Sequence, residues 1–160
     1  MPLRRVRLQN FKCIEDSQDI SLAPLTVIFG RNNTGKSSIL QSLLLLCQTL
    51  DSPEHGARLN LRGPLYPAGS FADIVHQHQS DRHVAMSFSV EAVDGQQIGQ
   101  IEMEFSSDEP QPPRLARMKI HGTSTEPLEF RRGRGAGGPF ELVIGDQSVG
   151  GESRTRTGTR

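Results

Sequence analysis

The sequence predicts an α/β fold: a mixed sheet, one buried helix and an antiparallel β-meander. Three observations predict it. A continuously apolar, β-branched run, Leu25-Thr26-Val27-Ile28-Phe29, leads into a polar, glycine-bearing stretch, Gly30–Gly35. A segment with helical apolar spacing, Lys36–Leu50, follows at once. From His83 to Ile144, short runs alternate apolar and polar residues between turn-forming clusters, the period-two pattern of strands with one covered face.

Between Leu3 and Phe11, Val6 and Leu8 alternate with Arg5, Arg7 and Gln9, which predicts a half-buried strand. Gln18–Leu22 alternates again and predicts a second. Pro24 separates it from Leu25–Phe29, whose unbroken apolar character predicts a strand covered on both faces. In Lys36–Leu50 the apolar positions Ile39, Leu40, Leu43–Cys47 and Leu50 cover most of the circumference, so burial nearly all round is expected. Asp51-Ser52-Pro53 ends the helix. Pro53, Gly56, Gly63, Pro64, Pro67 and Gly69 mark a long irregular connection, and Phe71–Val75 suits one helical turn. His83–Val93 and Ile98–Phe105, joined through Asp94-Gly95, predict a hairpin. Arg114–His121, Leu128–Arg132 and Phe140–Ile144 predict further strands. Residues 1–149 are read as one lobe. Residues 150–160 hold nothing that could anchor a core and are expected to be disordered.

A length of 160 residues suits one domain. Its 18 basic and 18 acidic residues cancel, so bulk charge gives no support for nucleic-acid binding. Cys13 and Cys47 make neither a disulfide framework nor a zinc spacing, which fits a reducing compartment. No apolar signal core follows the basic N-terminus, and the longest apolar stretch, around Leu43–Cys47, is too short to span a bilayer. A cytoplasmic protein with no membrane partner is expected.

Gly30-Arg31-Asn32-Asn33-Thr34-Gly35-Lys36-Ser37 matches G-x-x-x-x-G-K-[ST] without a gap, between an apolar run and a helical segment. Each residue type suits phosphate binding. Gly30 and Gly35 admit backbone angles closed to other residues, and the amides from Gly30 through Asn32, Asn33 and Thr34 can line an anion-binding concavity. The helix N-terminus adds its partial positive charge. Lys36 is expected to reach the β- and γ-phosphates, Ser37 to hold magnesium, a hard cation that prefers oxygen, and Ser38 to bond the α-phosphate. The ligand expected is a purine nucleoside triphosphate, ATP with magnesium. No N-K-x-D base-reading motif speaks for GTP, and no Ser-His-Asp or Cys-His arrangement can be argued. His76, His78 and His83 with Asp73 and Asp81 read as a solvated cluster rather than a metal site. Arg131-Arg132-Gly133-Arg134-Gly135 reads as a hairpin tip rather than a nucleic-acid platform.

The resemblance extends beyond the loop. Val6-Arg7-Leu8-Gln9-Asn10-Phe11-Lys12 followed by Leu25–Leu40 resembles the N-terminus of SMC-like, ABC-type ATPases, and more narrowly the RecF-like and OLD-like AAA-family ATPases of bacteria. It covers about the first third of the chain. It implies the first lobe of an ABC-type head, ATP hydrolysis in the complete protein, a head-to-head homodimer, and work on DNA or with a defence-system partner protein. It places Lys12 near the nucleotide, with a solvated turn lysine as the open alternative. It also likens Gly69–His76 to the stretch near the family's Q-loop, so that Gln77 or Gln79 could contact magnesium or the attacking water, or else lie in a solvated loop. Asn32 matches the family's G-x-N position, whereas Asn33 stands where many members have glycine. A run of apolar residues ending in Asp-Glu is missing. Leu142–Asp146 is the nearest candidate, and Gln147 stands where the Glu belongs. Ser148–Glu152 has only a faint likeness to the ABC signature. Two readings therefore stand: an ATPase head, or a nucleotide-dependent dimerisation module without turnover. A small-molecule kinase is a third, disfavoured because two strands precede the loop.

Overall fold

The computed structural model describes residues 3–52, 58–79, 81–91, 97–107, 113–122, 127–132, 140–144 and 147–149. Strand β1 (Leu3–Phe11) turns through Lys12-Cys13 into β2 (Ile14–Asp16), and β3 (Ile20–Ser21) pairs with the start of β1. Helix α1 spans Lys36–Leu50. The meander is β4 (Val84–Glu91), β5 (Gln97–Ser106), β6 (Arg114–Ile120), β7 (Leu128–Arg132), β8 (Phe140–Ile144) and β9 (Gln147–Val149). The order across the sheet is β2-β1-β4-β5-β6-β7-β8-β9, with β3 beside β1.

Register makes the two faces. Val6 lies opposite Phe88, Leu8 opposite Met86, Met86 opposite Met103, and Met103 opposite Met118. These residues share one face. The alternate positions, Arg7, Ser87, Glu102, Lys119 and Glu129, pair across the other. A one-residue slip would exchange the faces, so burial fixes the register. The core lies on the apolar face, where Val6, Leu8, Phe11, Val84, Met86 and Phe88 meet Leu45 of α1. Leu59, Leu61, Phe71, Ile74 and Val75 of the irregular connection close the core from the side. Gln48 fastens that connection to α1. Its buried amide donates to the carbonyls of Asn60 and Tyr66 (2.5 and 2.9 Å) and accepts from the Tyr66 N–H (2.9 Å). A Cβ on Gly63 would fall 2.5 Å from the Gln48 amide carbon, so glycine is required there.

Several expectations are met: β1, α1, β7 and β8 have the predicted bounds, and β4 and β5 form the expected hairpin, although its Asp94-Gly95 turn lies outside the described residues. Others are corrected. Every strand pair is antiparallel, so the sheet is not mixed among the described residues. Leu25–Phe29 forms no strand, and all its side chains but the half-buried Ile28 are exposed, Leu25 at 82% and Val27 at 72%. A strand exists only when its amides find a neighbour, and no described strand lies beside this run. For the same reason α1 is not buried all round. It buries one face, Ser38, Ser42, Leu45 and Gln48, while Leu40, Leu44 and Leu50 stay exposed. The Gln18–Leu22 strand is only the two residues of β3, and β2 and β9 were not anticipated. Phe71–Val75 forms a turn closed by Ile74 N–H to Phe71 C=O (3.0 Å). The tail, 150–160, lies outside the described residues. Among the described residues no helix is long and apolar enough to cross a membrane.

Candidate functional site

The loop Gly30–Gly35 delivers the chain to the N-terminus of α1. Gly35, buried, takes the left-handed conformation (φ 89°, ψ 3°) at the N-cap, and its carbonyl accepts the first helical bond, from Ile39 N–H (3.1 Å). A Cβ there would lie 3.1 Å from Ile14 and 3.4 Å from the Cys13 Sγ. Glycine therefore satisfies both the backbone angle and the close packing on the β1–β2 turn. Asn33 is left-handed too (φ 64°). Asparagine tolerates that conformation better than most residues, which explains how it occupies a position where the resemblance expects glycine.

The helix end is open. No side chain caps it and no acid sits in the first turn, so the free amides and the positive end of the helix dipole face the loop unneutralised. The Lys36 ammonium curls back over the loop and donates to the carbonyls of Gly30 (2.8 Å) and Arg31. Thr34 Oγ1 donates to the same Arg31 carbonyl (2.8 Å) and braces the loop from the other side. The arrangement concentrates positive charge, amide donors and hydroxyls at one mouth. Asn32 and Ser37 are exposed there, while Ser38 is buried with its Oγ 3.5 Å from the Cys13 Sγ.

Beside the loop lies an open cleft of about 910 Å³, bounded by Cys13, Ile14, Asp16, Thr34 and Ile39 among others. Asp16 on its wall is a fixed anion. The side-chain bond from Arg7 holds its carboxyl well below the usual range, assisted by the Gln18 N–H and the Gln9 amide. Arg7 is raised in turn, chiefly by that bond.

The two outlying candidates are placed differently. Lys12, left-handed in the β1–β2 turn (φ 54°), sends its ammonium to the Tyr66 hydroxyl (2.6 Å), 5.2 Å from the ring centroid. Its side chain is half-buried with Tyr66 as its partner, whereas Lys36 holds the loop carbonyls. Gln77 is exposed in a 3-10 turn, His76–His78, with its carboxamide oxygen accepting from Gln79 (3.3 Å). Gln77 and His78 are consecutive left-handed residues (φ 56° and 57°), a conformation costing about 1–2 kcal/mol per residue for L-amino acids. Such strain persists only where the surroundings impose it. Here His76 Nδ1 donates to the Lys12 carbonyl and His78 Nδ1 to the Ala72 carbonyl, each at 2.8 Å. Asp73 pins the turn before them: the Ser70 N–H and hydroxyl both donate to it and lower its pKa.

Sequence reasoning missed Tyr66, and it read His76 as part of a solvated cluster without its bond to Lys12. The signal for Tyr66 was its isolation, as the chain's single tyrosine within a Pro/Gly-rich connection. For His76 no local pattern existed, because its partner lies sixty-four positions away. Among the described residues no group of three or more His, Cys, Asp and Glu could hold a metal ion. Arg131 bonds Glu129 within its own strand, and residues 133–139 lie outside the described residues. Leu142–Ile144 belongs to β8, between β7 and β9 at the far end of the sheet from β1.

A glycine-bearing loop at an uncapped helix N-terminus, crossed by a lysine, has the donor arrangement of phosphate-binding loops. The chain matches the AAA ATPase domain over residues 1–121 and belongs to that family. It is also similar to an OLD nuclease of Thermus scotoductus (strain ATCC 700910 / SA-01), 46% identical over 44 residues. That match covers 28% of this chain and 8% of the nuclease's length.

Proposed function

We propose that the chain is the ATP-binding head of an SMC/OLD-like ATPase, taking ATP with magnesium at Gly30–Ser38. The observation that carries this reading is the Lys36 ammonium folded over an open helix end, beside amides that no acid or cap has claimed. On binding, the triphosphate would replace the Gly30 and Arg31 carbonyls as partners of Lys36 and take the free amides of the first turn. Asn32, Asn33 and Thr34 supply loop amides, and Ser38 a hydroxyl for the α-phosphate. The cleft between the β1–β2 turn and Thr34 has room for the nucleoside.

Magnesium suits the hard oxygen of Ser37, with Gln77 as a second oxygen donor, and when bound it neutralises charge on the β- and γ-phosphates. The ammonium of Lys12, presently on Tyr66, lies one residue from Cys13 and is the further cation available to the site. Head-to-head dimerisation and coupling to DNA or to a defence-system partner complete the proposal.

A second reading, a nucleotide-dependent binding module without turnover, is favoured by the place of Leu142–Ile144. The run nearest to a carboxylate-bearing strand sits in β8 and pairs with β7 and β9.

The deciding variant is Lys36→Ala. Calorimetry with ATP–magnesium should show affinity falling by about 2–5 kcal/mol, a loss of roughly thirtyfold or more. Undiminished binding rejects the assignment. Phosphate release with and without DNA then separates the two readings: turnover that Lys36→Ala abolishes supports the first, and binding without turnover the second.

A further inference from the structure

We infer that His76 is a positioning residue, tying the segment that carries Gln77 to the β1–β2 turn so that occupation of the phosphate loop is transmitted to Gln77. The inference rests on the reading that Gly30–Ser38 takes the triphosphate.

The two-residue turn Lys12-Cys13 is the meeting point. On one flank it touches the phosphate loop: Cys13 Sγ stands 3.5 Å from Ser38 Oγ, and Cys13 and Ile14 pack on Gly35 so closely that a Cβ would crowd them. On the other flank it holds the segment before Gln77. The Lys12 N–H donates to Ile74 C=O (2.7 Å), Phe11 bridges Val75, and the His76 Nδ1–H donates to Lys12 C=O (2.8 Å). The Lys12 backbone therefore has both its donor and its acceptor committed to residues 74–76. Its ammonium is committed to Tyr66, which Gln48 fixes to the same helix that Gly35 caps.

This geometry leaves little slack. Gly35 and Ser38 cannot shift to meet a triphosphate without moving Cys13 and Ile14, and the turn cannot move without pulling on residues 74–76. Beyond His76 the backbone passes directly into the left-handed pair Gln77-His78. A pull there acts on a strained segment held by two side-chain bonds, and tightening or releasing it re-aims the Gln77 carboxamide. His76 is the last anchor before that pair, so it sets where Gln77 points.

The test is hydrogen exchange with and without ATP–magnesium, read at the amides of Lys12, His78 and Gln79, which donate to Ile74, Val75 and His76 respectively. In the wild-type chain ATP–magnesium should change exchange at these amides by about fivefold, one hydrogen bond's worth of stability. His76→Phe should lose that response and change ATP–magnesium affinity by no more than the same roughly fivefold factor, since coupling is reciprocal and no phosphate contact is removed. His76→Asn, which retains a donor for the Lys12 carbonyl, should restore it. A purely structural role would lower protection equally with and without nucleotide. A response that persists in His76→Phe overturns the inference. So does wild-type binding of ATP–magnesium with no response at these amides, a result that stands even if the Phe variant fails to fold. Absence of ATP–magnesium binding by the wild-type chain overturns the phosphate-loop reading and the tie with it.

Discussion

Phe11 and Phe29 read almost alike in the sequence. Each closes a run that reads as a strand, and each is followed by a turn. In the folded chain Phe11 is wholly buried and Phe29 is 90% exposed. The difference lies in what flanks each run. Strand β1 has β2 and β3 on one side and β4 on the other, and its inner face meets α1. The run Leu25–Phe29 has no strand beside it among the described residues. Composition states what a segment can bury, whereas burial itself depends on a neighbour that the segment does not encode.

The largest expected effect tests the covered side of that comparison. Phe11→Ala removes a fully buried ring from the junction of β1, Val75 and the core. It should lower unfolding stability by about 3–5 kcal/mol, measured from urea midpoints. A loss below about 1 kcal/mol would mean that the site collapses around the gap and that the junction is not closely packed.

The same contrast decides how much was legible beforehand. Strands β1, β4, β5, β7 and β8 were readable because each pairs with a strand near it in sequence or fills a period-two pattern with one wet face. Helix α1 was readable from spacing and from the Gly35-Lys36 start. The loop's residues were readable because their chemistry is local: glycine angles, free amides and one ammonium. The antiparallel sheet, the bare face of α1 at Leu40 and Leu44, and the exposure of Val27 were not, because they depend on which neighbours arrive. The placements of Lys12 and Gln77 were not readable either. Tyr66 and His76 reach them across long sequence separations, through a connection with no periodicity.

The meander also holds itself together on its polar face, and this gives a smaller, pH-dependent effect. Glu129 on β7 accepts from Arg117 on β6 (2.7 Å) and from Arg131, with Lys119 at 3.8 Å. The Arg117 bond, chiefly, lowers its pKa from 4.5 to about 2. A depressed carboxyl stabilises the folded state above its unfolded value and loses that contribution as pH falls. The Glu129 term should thus be complete above pH 4.5, decline between 4.5 and 2, and vanish below. Glu129→Gln should cost about 1 kcal/mol at neutral pH, modest because its partners are partly solvated. The gap from wild type should close across that window in urea melts. A gap unchanged at pH 2 would show that the ion pairs contribute nothing, and that strand pairing alone carries this end of the sheet.

The smallest effect tests the uncovered side most directly. Phe29→Ser replaces a ring of the same size as Phe11's, but the ring has almost nothing packed on it. Transfer of exposed apolar surface contributes nothing to folding, so the stability should stay within about 0.5 kcal/mol of wild type. Hydrogen exchange at residues 25–29 should proceed at rates typical of unpaired amides in both proteins. The opposite result would be informative. A loss comparable to that of Phe11→Ala, or protected amides at Val27 and Ile28, would mean that the run is paired and covered in solution. The two phenylalanines would then be equivalent after all, and the loop between Phe29 and Lys36 would be entered from a rigid strand rather than from an exposed segment.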